Sequence, residues 1–193
     1  MGEPGSLAAV RLRPMPARRP AGRSDAALVR AAQRGSAAAV EELFDRHWPS
    51  LHRAAYLVVH DATAAEDIAQ EAFLAAIGAL DRFDRRRPLA LWLHRIAVNR
   101  AIDHARARAL RRESPGAPPE TAVHDASDAL DDEVVAALAA LDPDARAVVV
   151  LRHLLGHTPG EIARLLGIPR GTVNSRLRRA LDAMAAVLRE DER

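Results

Sequence analysis

A chain of 193 residues supports one ordinary domain or two small ones of roughly 60 to 90 residues each. It has no cysteine, which excludes a disulfide framework and thiolate metal sites, and Arg, Asp or Glu interrupts every apolar run before the roughly 20 residues that a membrane span needs. The net charge of +2 is nearly neutral but unevenly laid out: residues 1–24 carry +4, 25–108 carry +1, 109–133 carry −5 and 134–193 carry +2, with every Lys-or-Arg position filled by Arg.

Residues 1–24 hold five Arg and several prolines without periodicity, and they lack the unbroken apolar stretch of a signal peptide. This segment reads as a disordered basic tail, with a nucleic-acid-touching arm as the alternative. Beyond it the composition is helical: Ala and Leu abound, aromatics make up 3% and β-branched residues occur singly or in runs of no more than three. The expected fold is all-α, as two small helical domains over 25–110 and 133–190 joined by a flexible acidic linker over 111–132.

Val40, Leu43, Phe44, Leu51, Ala54, Ala55 and Val58 recur at three- and four-residue spacing, the pattern of a helix that Pro49 should kink or restart. A second helix is predicted to open at Thr63 with Glu66 as a capping box, burying Ala65, Ile68, Ala69, Ala72, Phe73, Ala76 and Leu80. Its other side presents Glu66, Asp67, Gln70 and Glu71. The loop Asp84-Arg-Arg-Arg leads to Pro88, suited to the first position of a third helix. There Leu89, Trp92, Leu93, Ile96, Ala97 and Arg100 form one stripe, while Arg95, Asn99, Asp103 and Arg106 line another. Trp92 reads as core rather than as a stacking platform.

After about Arg112 the chain turns to Ser-Pro-Gly-Ala-Pro-Pro with scattered acids, the composition of a tether. Val134, Val135, Leu138 and Leu141 then begin a second unit, and Asp142-Pro143 caps a helix running through Val148, Val149, Leu151, Leu154 and Leu155 to Gly156.

The densest local signal runs from Thr158 to Leu177, Thr-Pro-Gly-Glu-Ile-Ala-Arg-Leu-Leu-Gly-Ile-Pro-Arg-Gly-Thr-Val-Asn-Ser-Arg-Leu. Thr158 and Glu161 form a capping box, Gly167 allows a sharp turn, and a new helix starts near Pro169, anchored by Val173 and Leu177. This is a helix-turn-helix. The exposed side of its second helix offers Arg170, Thr172, Asn174, Ser175, Arg178 and Arg179. Arg pairs bidentately with guanine and Asn with adenine, while hydroxyls and further Arg suit phosphate oxygens.

The first unit narrows the reading. Asp61-Ala-Thr-Ala-Ala-Glu-Asp-Ile-Ala-Gln-Glu-Ala-Phe-Leu-Ala-Ala resembles the signature helix of extracytoplasmic-function (ECF) sigma factors, and Leu91-Trp-Leu-His-Arg-Ile-Ala-Val-Asn-Arg-Ala-Ile-Asp-His-Ala-Arg resembles that family's minus-ten element. Leu141-Asp-Pro-Asp-Ala-Arg-Ala-Val-Val-Val-Leu-Arg-His with the helix-turn-helix is similar to its minus-thirty-five-reading domain. The departures are His94 where an aromatic is usual, Val98 where a basic residue is frequent and Asn174 where Lys is common.

The resemblance implies a cytoplasmic sigma factor that binds core RNA polymerase through the β′ clamp and β flap and directs it to promoter DNA, with an anti-sigma factor as a further candidate partner. It also implies that Asp67, Gln70 and Glu71 contact the clamp. The loop with Arg85, Arg86 and Arg87 would capture an unstacked base, and Arg95, Asn99 and Arg106 would lie beside the opened DNA. The acidic linker would thread the polymerase's RNA path.

The alternatives are a stand-alone helix-turn-helix regulator that dimerises through its N-terminal helices and a protein-binding helical adaptor. No phosphate loop, nucleophile elbow or Ser/His/Asp spacing suggests catalysis, and no cofactor is implied. His153 and His157 are four apart, but Gly156 and Pro159 place a helix end between them, which argues against a metal site.

Overall fold

The computed structural model describes residues 22–112 and 132–191; the expected basic tail and acidic linker lie outside them, apart from residues 22–24 and the helical Arg111, Arg112 and Asp132. Eight α-helices fill the described residues, without strands: α1 Asp25–Ala32, α2 Ala37–Val59, α3 Ala62–Gly78, α4 Leu89–Arg112, α5 Asp132–Ala139, α6 Pro143–Val149, α7 Pro159–Leu166 and α8 Arg170–Asp191. A 3-10 turn, Leu80–Arg82, follows α3, and a π-helical segment, Val150–Leu154, extends α6. No described helix is long and apolar enough to cross a membrane.

Local chemistry sets the helix starts. Ser24, Ser36, Asp61, Asp142 and Thr158 each accept a backbone N–H of the first turn, satisfying donors that have no partner inside the helix. The cap of α3 corrects the expectation for this helix: Asp61 Oδ1 accepts from Ala64 N at 3.0 Å, and Thr63 already lies inside the first turn. The expected restart at Pro49 is likewise absent. The α2 helix runs through it, and the Ser50 hydroxyl donates to the His47 carbonyl at 2.9 Å.

The helices α1–α4 form one bundle. Leu28, Val29, Leu43, Leu51, Ala69, Phe73, Leu80, Leu93 and Ala97 close its interior, with Phe44 stacked on Trp48 and set edge-on to Phe73. The helices α5–α8 form a second unit, in which α8 is packed by α5, α6 and α7.

The two units share a core, which the tether reading did not anticipate. Val98, Ala101, Ile102 and Ala105 of α4 and the C-terminal turns of α2 are buried in one cluster with Val148, Val150, Leu151 and Leu154. Arg146 is the polar centre of this seam. The residue is 8% exposed, and its guanidinium donates to the carbonyls of Leu138, Ala139 and Leu141 at 2.8, 2.7 and 2.8 Å, and across the seam to that of Val58 at 2.6 Å. Leu138, Ala139 and Val58 are in the last turns of α5 and α2, where carbonyls lack helical donors, so one side chain caps two helices from different units.

Candidate nucleic-acid interface

The helix-turn-helix is built from its caps inward. Thr158 Oγ1 accepts from Glu161 N at 3.3 Å, and Glu161 Oε2 accepts from Thr158 N at 2.8 Å and from the Thr158 hydroxyl at 2.9 Å. These donors, the backbone N–H foremost, hold the Glu161 carboxyl below its ordinary range. At the far end Gly167 adopts φ 68°, and its N–H donates to the Ala163 carbonyl. That left-handed residue turns the chain into α8, where Val173, Leu177, Ala180 and Met184 are buried.

With that side fixed inward, Arg170, Asn174, Arg178 and Arg179 are exposed, and Thr172 and Ser175 half-buried beside them. Two of these groups are partly committed. The Ser175 hydroxyl donates to the Thr172 carbonyl at 3.1 Å, and Arg179 Nε to the Ser175 carbonyl at 3.3 Å, which leaves Arg179 its terminal nitrogens for an anion. The face therefore carries bidentate-capable guanidinium and amide groups on a rigid helix, the chemistry that reads base edges in a major groove.

In the first unit Arg85, Arg86 and Arg87 are exposed on the loop before α4. Asp84 shapes that loop: its carboxylate accepts from Arg86 N at 3.0 Å and its carbonyl from Arg87 N at 2.9 Å. Together with Ser24, Asp25 and Val29 near the start of α1, the three arginines line a cavity of about 460 Å³. The contribution of α1 was not visible in the sequence. Phe83 is buried and packs at a tilt of 35° against the half-buried Trp92 with centroids 4.7 Å apart, so both support the loop from beneath.

Along α4, Arg95 is exposed and Asn99 half-buried. Arg106 is engaged elsewhere: it grips Asp144 of α6 through Nη2 at 2.7 and 2.8 Å and Nε at 3.2 Å. That hydrogen bonding raises its pKa. Arg176 of α8 reaches the same carboxylate at 3.1 Å, so Asp144 joins both units.

On α3, Asp67, Gln70 and Glu71 share an exposed face with Leu74, which is 63% exposed; Glu71 lies 3.9 Å from Arg100. Sequence periodicity did not single out Leu74. Acids flanking an uncovered leucine suit a partner with basic groups around an apolar contact. Among the described residues no group of three or more His, Asp or Glu side chains is arranged to hold a metal ion.

Comparison with known proteins bears on both units. Residues 43–111 match the family Sigma-70 region 2, and residues 131–184 match Sigma-70, region 4. The chain is 36% identical over 170 residues to the ECF RNA polymerase sigma factor SigM of Mycobacterium tuberculosis, covering 86% of this chain and 85% of that protein. It is 35% identical to SigL of the same species, with 85% and 97% covered, and 30% identical to SigW of Bacillus subtilis, with 84% and 95% covered. Among solved structures it resembles CnrH in complex with the cytosolic domain of CnrY, with TM-score 0.66, 31% identity and 86% and 98% of the two chains covered. It also resembles the sigma factor RpoE in complex with the anti-sigma factor NepR from Bartonella quintana, with TM-score 0.66, 26% identity and 77% and 96% covered.

Proposed function

The chain belongs to the ECF RNA polymerase sigma factors, and from that premise we propose how its surfaces divide the work. It binds core RNA polymerase and directs promoter-specific initiation; it is not itself an enzyme, and its site of action is the cytoplasm, where the polymerase works. Residues 25–110 form the polymerase-binding and minus-ten unit, and 133–190 the minus-thirty-five unit.

In this division the exposed face of Asp67, Gln70, Glu71 and Leu74 seats on the β′ clamp. Arg85, Arg86 and Arg87, at their cavity, receive an unstacked base, with Arg95, Asn99 and Arg106 along the opened strand. The α8 face reads the duplex upstream through Arg170, Thr172, Asn174, Ser175, Arg178 and Arg179, while this unit meets the β flap. An anti-sigma factor fits the same surfaces.

One observation carries this reading: an acidic docking face and a basic reading helix stand exposed on two units of one chain. Weak individual contacts then act together once joined to the polymerase. The test is reconstituted transcription with core enzyme. Arg178→Ala is expected to lower promoter-specific transcript about tenfold, since a bidentate base contact is worth roughly 1–3 kcal/mol, while polymerase binding persists. Equal loss of both activities would refute the division.

A further inference from the structure

The seam between the two units buries two imidazoles. His94 of α4 is 5% exposed, and His157, between Gly156 and the cap of α7, is 9% exposed. His94 Nδ1 lies 3.0 Å from His157 Nε2, and His94 Nε2 lies 3.2 Å from Ser50 Oγ on α2.

The hydrogens of this chain can be assigned. The single hydroxyl proton of Ser50 goes to the His47 carbonyl at 2.9 Å, so its oxygen accepts from His94 Nε2–H. His94 Nδ1 is then an acceptor, and His157 Nε2–H is its donor. A proton added to His94 would set two N–H groups against each other 3.0 Å apart.

Among the described residues, Glu161 favours a protonated His157, but no charge favours a protonated His94. His47 of α2 is paired with Asp25 of α1 at 3.1 Å, and Asp25 also accepts from Arg46 at 2.8 Å. Glu161 of α7 is held by Thr158. Arg152 of the π segment donates to the His157 carbonyl at 3.3 Å, adding positive charge, and the half-buried His153 beside it carries no acid.

We propose that the His94–His157 pair is an acid-labile interlock: while neutral it holds the two units closed, and protonation of His94 releases the second unit from the first. Burial, then His157 and His47, depress His94 to about 3, and burial depresses His157. In the opened chain both rings face water and return to the ordinary value near 6.5. Each is thus a base with its pKa lowered in the closed state, so closure is fully supported above about 6.5 and weakens as the pH falls below it. Between pH 7.5 and 5.5 one such histidine lowers the closed-to-open ratio about tenfold.

Because the full chain has no native cysteine, Ala75→Cys on α3 and Ala183→Cys on α8, both exposed, take a dye pair cleanly. Energy transfer is expected to be high at pH 7.5 and to fall at pH 5.5, with a tenfold or greater drop in the closed-to-open ratio and unchanged helical circular dichroism. Combining His94→Gln and His157→Gln supplies amides that bond without titrating, and should flatten the profile. If that pair fails to fold, His94→Gln alone must remove at least half of the slope. An unaltered profile in the variants, no opening in the parent chain, or helix loss in step with the transfer signal would each overturn the interlock.

Discussion

Replacing Arg146 with Met tests whether one buried guanidinium holds the seam. Four carbonyls, of Leu138, Ala139, Leu141 and Val58, accept its N–H groups at 2.6–2.8 Å. Burial lowers its pKa to about 10, so it remains charged at neutral pH. Hydrogen bonds to a charged group contribute roughly 1.5–3 kcal/mol each, but burying the cation costs several kcal/mol in return. Methionine ends that desolvation cost yet strands the carbonyls of Ala139, Leu141 and Val58, while that of Leu138 keeps the Leu141 N–H at 3.2 Å; at about 1–3 kcal/mol per stranded group, offset by the relieved burial of charge, the net loss expected is about 3–5 kcal/mol. With a urea slope of about 2 kcal/mol per molar, the unfolding midpoint should drop by roughly 1.5–2.5 M. Arg146→Lys should restore only part of it, since an ammonium lacks the planar fork that reaches all four oxygens. A midpoint drop below about 0.5 M for Arg146→Met would refute the double-cap account.

Two further substitutions probe the reading helix and the seam. Gly167→Ala meets no atom within 4 Å, so its cost is the left-handed backbone at φ 68° alone, about 1–2 kcal/mol by urea unfolding; a neutral result would mean that the turn relaxes freely. Asp144→Asn leaves the helix start intact but removes the negative charge that holds Arg106 and Arg176. Exposed ion pairs contribute roughly 0.2–1 kcal/mol each, so the free chain should bind a single-stranded minus-ten oligonucleotide a few-fold more tightly by fluorescence anisotropy, and unchanged binding would show that the Arg106 pairing does not compete with DNA.

The helix-turn-helix was legible in the sequence because its determinants are local. Thr158, Glu161 and Gly167 act within one turn of their own position, and each occupies its expected place. The cap of α3 was misassigned for an equally local reason: Asp61 and Thr63 are both good caps, and only the path of the backbone decides between them. What was not legible was pairing between distant segments. The stripe of α4 was assigned to one neighbour, yet Val98, Ala101 and Ile102 bury a second side against the other unit. The burial of His94 and Arg146 was not legible either, because a polar residue looks the same in sequence whether water or a buried carbonyl satisfies it.

That second side of α4 bears on how the molecule acts at a promoter. The minus-ten and minus-thirty-five elements lie about 25 base pairs apart, and at roughly 3.4 Å per pair their separation is about 85 Å. Units sharing one buried cluster cannot span that distance, so the closed arrangement seen here and simultaneous engagement of both elements exclude each other. The intervening residues 113–131, at no more than about 3.5 Å each, reach up to roughly 65 Å, which with the breadth of the two units is enough once the seam parts. Asp67, Gln70, Glu71 and Leu74 stay exposed while the seam is closed, whereas Arg106 is bound to Asp144. On the division proposed above, polymerase docks on the α3 face while the seam is closed, and opening precedes contact with both promoter elements. On that division the free energy of the seam weakens DNA binding by the free protein while leaving the α3 face open to the enzyme.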